Sequence, residues 1–317
     1  MVSSGSFVGL RRGQVEVRRG GELVERVPLA EVERIVVWSG AAGVSVRLLV
    51  EAGRMGVPVV FVGRGPDAVS VVLPGVSGRS PFKMVAQAEW RASPEKRLRA
   101  ARWFIEWKLR GRAWLLKRLS RSRAQELRDY GYLLEASARG LAGAGSVDRL
   151  RSEEAAAGRL YWEAVRRYGL LGEDFRGREP RAGDRWNSAL DLLYALLRAE
   201  AQRALSIAGL YPYMGFMHAD RSGRPSLALD FMEPYRWLAE WALFKAAGRG
   251  WEPRLGEGGR LSRDTVARLL EAWDRMLSSA YPGAERSVSK TIMLDAWKLG
   301  EALLEGWDWA PTPLGPW

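Results

Sequence analysis

His218 is the only histidine in the 317-residue chain, and it lies in the stretch "GFMHADRSGRPSLALDFMEP" with Asp230 and Glu233 following in apolar company. If the second half of that stretch is helical, the two acids stand three residues apart and share a face. The "RSGRPS" turn folds His218 back towards it. Upstream, "RSEEAAAGRLYWEAV" sets Glu154 directly before three alanines and Gly158. That bare helix face admits another helix or a nucleic-acid backbone at close range. Together Glu154, His218 and Glu233, with Asp230 close by, form a carboxylate, imidazole and carboxylate set suited to Mn²⁺ or Mg²⁺. Hard oxygen ligands bind either ion, and an imidazole shifts the preference towards manganese. Each member also has a plainer reading. Glu153 and Glu154 could be first-turn acids that complement a helix dipole, and His218 a hydrogen-bonded core or surface group. As an imidazole binds metal only when neutral, activity through this set is expected to fall in mild acid.

The elements that must position these residues follow from periodicity. Residues 1–75 read as a small β domain of short, valine-rich segments, "SFVGL", "QVEVRR", "ELVERVP", "ERIVVWS", "VPVVFVG" and "VSVVLPG", with one helix in "VSVRLLVEAGRMG". "PGVSGRSPF", residues 74–82, has loop chemistry, and residues 76–83 are predicted to link this domain to a helical one over 84–317. There, helices are predicted over 94–137 (with Gly111 a point of bending or division), 148–168, 184–208, 230–248, 262–278 and 286–305. Ser93 before Pro94 reads as an N-cap, and Gly209 as the stop of the 184–208 helix. Fourteen of the fifteen tryptophans lie beyond the linker, which predicts a large helical core. The expected fold class is α+β, a β-sandwich-like domain followed by an all-helical catalytic domain.

Composition narrows the function. With no cysteine, disulfides and thiolate metal sites are excluded. The apolar runs fall short of a membrane span and no leader precedes them, so a cytoplasmic, membrane-free protein is expected. Lysine and arginine exceed aspartate and glutamate by 49 to 37, a net charge of +12. The default partner is a polyanion, whose counterions clustered cations release. The excess is local: residues 83–128 carry fourteen lysines and arginines against four acids. Trp103, Trp107 and Trp114 are interleaved among them, which suggests a basic, phosphate-binding surface over an aromatic core. A metal set on such a protein suggests phosphodiester chemistry. The glycine pairs of "LGEGGRLS" lack the strand and helix context of a nucleotide loop.

From "EEAAAGRLYW" through "RWNSALDLLYALL", "GLYPYMGFMHADRSGRPSLALDFMEPYR" and "SVSKTIMLDAWKL", the sequence resembles the CRISPR-associated spacer-acquisition endonuclease and integrase family, the first of the Cas proteins. The stretch "VPLAEVERIVVWSG…GVPVVFVG" extends the likeness to its β domain. The family's E-x-x-A-A-x-x-Y pattern falls on Glu154, not Glu153, with Tyr161 seven residues on and Gly158 in place of the second alanine. Its other two metal ligands fall on His218 and Glu233. Asp230 is implied in a supporting role, either orienting His218 or serving a second ion. Asn187 and Tyr194 match its N-x-x-L-x-x-x-Y helix, with Asp191 where asparagine is common. The resemblance implies joining of short DNA fragments to a repeat array by transesterification on Mn²⁺ or Mg²⁺. It also implies double-stranded and branched DNA as substrates, a homodimer formed through the β domain, and a second small adaptation protein as partner. Two alternatives stay open: a transposon-type integrase, against which the lack of a further domain after residue 317 would argue, and a non-catalytic DNA-binding scaffold.

Overall fold

The computed structural model describes residues 5–38, 42–55, 57–62, 69–72, 81–219 and 221–316. The chain divides into two compact units, residues 1–80 and 81–317.

In the first unit, β1 (Ser6–Arg11), β2 (Gln14–Arg19) and β3 (Glu22–Pro28) form an antiparallel meander. Its first turn is Arg12-Gly13, both at positive φ, the backbone twist that a two-residue hairpin requires. β5 (Gly43–Val44) adds to β1 in parallel, giving the order β3-β2-β1-β5. A second sheet runs β4 (Ile35–Val37), β6 (Val59–Val62) and β7 (Val69–Val72). Helix α1 (Val46–Arg54), capped by the Ser45 hydroxyl, contributes Leu48 and Ala52 to a core shared with Val8, Val15, Leu29, Ile35, Val37 and Val59. The alternating valines thus point into a common interior, as a half-buried strand pattern demands.

In the second unit the helices are α2 (Pro81–Ala92), α3 (Pro94–Ser120), α4 (Leu127–Gly140), α5 (Val147–Arg167) and α6 (Arg185–Ala208). They are followed by α7 (Ser226–Met232), a 3-10 turn at Glu233–Tyr235, α8 (Arg236–Ala247), α9 (Arg263–Ser278) and α10 (Val288–Glu305). Side-chain oxygens of Ser93, Ser146, Asp184, Ser262 and Ser287 cap α3, α5, α6, α9 and α10. Gly209, at φ 83°, ends α6 in the left-handed region. α3 runs through the middle, against α2, α4, α5, α8 and the 3-10 turn. α10 packs on α6 and α2. The segment after α10 is also part of the core. Trp309 is buried, its indole donates to the Asp295 carbonyl at 3.0 Å, and Trp114 donates to the Gly315 carbonyl at 2.8 Å. None of the described helices is long and apolar enough to cross a membrane.

Several expectations change. Residues 81–83 belong to α2, with Lys83 buried, and not to a linker; residues 76–80 lie outside the described residues. The stretch 94–137 is divided at 121–126, not at Gly111, where α3 continues unbroken. Gly111 instead admits Trp237: a Cβ there would lie 2.3 Å from the indole Cδ1. Asp230 and Glu233 do not share one regular helix, because Pro234 ends α7 in the 3-10 turn that Glu233 heads.

Candidate metal centre

The loop between α6 and α7 is folded around one carboxylate. Asp230 has no exposed surface. Its Oδ2 accepts from the amides of Phe216 at 2.6 Å and Met217 at 2.9 Å, and its Oδ1 from the His218 amide at 3.0 Å. The same Oδ1 stands 2.6 Å from His218 Nδ1. Nδ1 is therefore committed to Asp230, and Nε2 is the ring nitrogen left for a ligand. Gly215 is required where the loop meets α7, since a Cβ would lie 2.7 Å from Asp230 Oδ2 and from the Ser226 backbone. Arg97 on α3 holds the Phe216 carbonyl at 2.8 Å, and Arg151 on α5 donates to that of Met217.

Glu233 is almost fully buried. Arg236 holds its Oε1 at 2.7 Å, and Lys108 Nζ lies 2.7 Å from its Oε2. Burial pushes this carboxyl's pKa up, but Arg236, Lys108 and His218 outweigh it and hold the value down to about 2. The contact at Oε2 is an ion pair without hydrogen-bond alignment, so this buried oxygen keeps an unused lone pair. The same Lys108 ammonium also binds Glu154 Oε1. Glu154 lies in the second turn of α5, whose first residue is Val147, so it is not the first-turn acid of the plainer reading. Beside it Ala155 and Ala156 are exposed, and the space over Gly158 is open.

The structure sets His218 against Asp230 and Glu154 against Glu233 through Lys108, and the two pairs are near enough for His218 to help hold the Glu233 pKa down. Among the described residues, no three His, Asp or Glu side chains converge closely enough to hold an ion by themselves. Lys108 stands between the two glutamates. It was missed from sequence, although a signal existed. Ala101, Phe104, Ile105, Lys108, Arg112 and Leu115 fall on one stripe of α3, and all are buried. A lysine and an arginine on an apolar stripe need buried acids as partners.

Arg112 has its partner in Glu240, at 2.6 Å. Tyr161 and Tyr194 each donate to the same carboxylate at 2.6 Å. Burial and the Glu240 charge push both phenols up, so they remain protonated donors. Arg236 lies 4.6 Å over the Tyr194 ring, which ties this cluster to Glu233. Asn187 and Asp191 are occupied nearby: Asp191 pairs with Arg178 at 2.5 Å, and the Asn187 carbonyl accepts from Arg178 at 3.0 Å. The departure at Asp191 thus supplies a salt bridge. The basic stretch 83–128 is less of a surface than expected, because Lys108, Arg112 and Lys117 are buried and paired. In "RSVSKTIM", Ser287 caps α10.

Two carboxylates, an imidazole fixed through Nδ1 and a buried oxygen with a spare lone pair fit a hard divalent ion. The model of the family described as CRISPR associated protein Cas1 matches residues 1–275. A CRISPR-associated endonuclease Cas1 of Hyperthermus butylicus is 32% identical over 339 residues, 99% of this chain and 98% of the relative. Among solved structures, a casposase bound to integration product superposes with a TM-score of 0.83 at 20% identity, over 98% of this chain and 91% of its own. A chain of a Cas6-RT-Cas1 complex with Cas2 superposes with a TM-score of 0.77 at 17% identity, over 100% of this chain and 35% of its own.

Proposed function

This chain belongs to the CRISPR-associated Cas1 family, and on that premise we propose that it cuts and joins DNA at a divalent metal held by Glu154, His218 Nε2 and Glu233. The reaction is transesterification, in which the 3′-hydroxyl of a short DNA fragment attacks a phosphodiester of a repeat array and displaces a 3′-oxygen. The metal would supply Lewis acidity at the scissile phosphate and charge stabilisation at the leaving oxygen.

The protein's own contribution is positional. Asp230 holds the imidazole by Nδ1 and caps the 216–218 backbone, so the ring cannot swing away. That arrangement favours the orienting role for Asp230 over service to a second ion. Arg236 neutralises Glu233 from the side away from Lys108 and keeps it ionised. The small residues after Glu154 let a DNA backbone approach the site from the α5 side. No protein nucleophile is needed, and Tyr161 and Tyr194 are buried as donors to Glu240.

The observation that carries this reading is the convergence of Glu154 and Glu233, from α5 and the 3-10 turn, on a single cation beside the His218–Asp230 pair. The test is joining and cleavage of branched DNA by the purified protein with Mn²⁺ or Mg²⁺. Glu154→Gln, His218→Ala and Glu233→Gln are each expected to lower the rate at least about 100-fold. Wild-type rates in all three would overturn the site.

The casposase's likeness in fold favours one second reading, integration of a mobile element through the same centre. Genes beside this one, adaptation proteins or a transposon, decide between them. We also propose that the β domain forms a homodimer and that a Cas2-type protein spaces two such centres. Sedimentation of the chain alone and with that partner tests both. Salt-sensitive DNA binding with no metal-dependent joining would instead mark a scaffold.

A further inference from the structure

Lys108 sits where two carboxylates from different elements converge, and only 6% of it is exposed. Two like charges so placed repel unless a cation separates them, and burial strengthens the repulsion. Around the two glutamates the charges already balance, Glu154 and Glu233 against Lys108 and Arg236, and Asp230 adds a single negative charge beyond His218. A divalent ion added with Lys108 still in place would leave an excess of positive charge in a poorly solvated pocket. It would also contend for the two oxygens the ammonium holds, Glu154 Oε1 and Glu233 Oε2. Arg236 uses the other oxygen of Glu233 and need not move.

We infer that Lys108 is a resident counter-ion, an ammonium that keeps Glu154 and Glu233 aligned until a divalent metal displaces it, so that metal uptake and release of Lys108 are one event. The inference rests on the proposed assignment of Glu154, His218 and Glu233 as metal ligands. Lys108 is on this account a positioning residue. It preserves the geometry of the empty pair, sets a threshold on metal affinity, and on release leaves a free ammonium beside the bound ion.

Calorimetric titration of the full-length protein with MnCl₂ tests this with wild type, Lys108→Met, Lys108→Gln and Glu154→Gln. Wild type is expected to bind Mn²⁺ in a manner that Glu154→Gln abolishes. Lys108→Met and Lys108→Gln are each expected to bind it about tenfold more tightly, the scale of one charge-assisted hydrogen bond. Their metal-free thermal midpoints should fall, and Mn²⁺ should raise them by more than it raises that of wild type. A merely structural lysine would lower the midpoint without tightening the metal. Should one lysine variant fail to fold, the other carries the measurement. Unchanged or weaker Mn²⁺ affinity in a folded lysine variant overturns the inference and leaves the ligand assignment standing. Absence of Glu154-dependent binding in wild type overturns the assignment, and the inference with it.

Discussion

Asp230 accepts four contacts with two oxygens and faces no solvent, so its replacement by the isosteric asparagine exposes what the negative charge does. In either orientation the new amide sets N–H against a backbone N–H or against His218 Nδ1. Asp230→Asn is therefore expected to weaken Mn²⁺ binding about 10- to 100-fold, read by calorimetry, with a lower thermal midpoint. Glu233 makes a second expectation. Its folded pKa, about 2, lies below its ordinary value of 4.5. The stability it contributes is complete above pH 4.5 and is lost as pH falls through 2. Denaturant titrations of metal-free protein between those limits should show a decline that is shallower in Glu233→Gln. At this scale the sequence was most informative. The contact of His218 with Asp230 was foreshadowed by the turn between them, while Glu154 was singled out over Glu153 through the family resemblance, and the structure sets Glu154 and Glu233 on one lysine. Lys108 was not legible as their partner: its place on the apolar stripe of α3 marks it as buried, but nothing local names its partners on α5 and the 3-10 turn.

Among the elements, α3 and the Glu233–Tyr235 turn are joined by the closeness that Gly111 allows. A methyl at that position would press on the Trp237 ring at 2.3 Å and lie 3.2 Å from the Pro234 carbonyl. Gly111→Ala is expected to cost about 1–3 kcal/mol of stability and to weaken Mn²⁺ binding, since relief moves the turn that carries Glu233. Thermal denaturation and calorimetry read the two effects. Arg112→Met, which leaves Glu240 buried without its cation, should cost more, about 3–5 kcal/mol. Helix periods made α5, α6, α9 and α10 readable, and Ser93 before Pro94 marked the start of α3. α2 was hidden because Pro81 resembles loop chemistry in sequence, yet it suits a first helical turn. Gly111 read as a break because a sequence cannot show that an indole from another helix fills the space.

For the whole molecule, division into two units places every residue of the candidate site in one of them. Glu154, His218, Asp230, Glu233, Lys108 and Arg236 all lie in residues 81–317. That fragment is expected to fold and to bind Mn²⁺ like the full chain, by circular dichroism and calorimetry, while losing self-association if the β domain is the dimer contact. Loss of Mn²⁺ binding would show that residues 1–80 are needed to build the site. The existence of a change from strand to helix was plain in the sequence, since valine alternation gives way to arginine- and tryptophan-rich helical periods, but its helical side was set too late, because α2 already starts at Pro81.

The segment that follows α10 reaches deep into the helical unit. Thr312 donates its amide to buried Asp295 at 2.9 Å, and Asp295 also receives the Tyr235 hydroxyl at 2.9 Å, two residues from Glu233. On a translating ribosome, every described helix of the unit emerges before this segment. Until residues 309–315 have followed them, Asp295 lacks the Thr312 amide and Trp114 the Gly315 carbonyl, so the hydrogen bonding behind the turn that carries Glu233 is among the last to be completed.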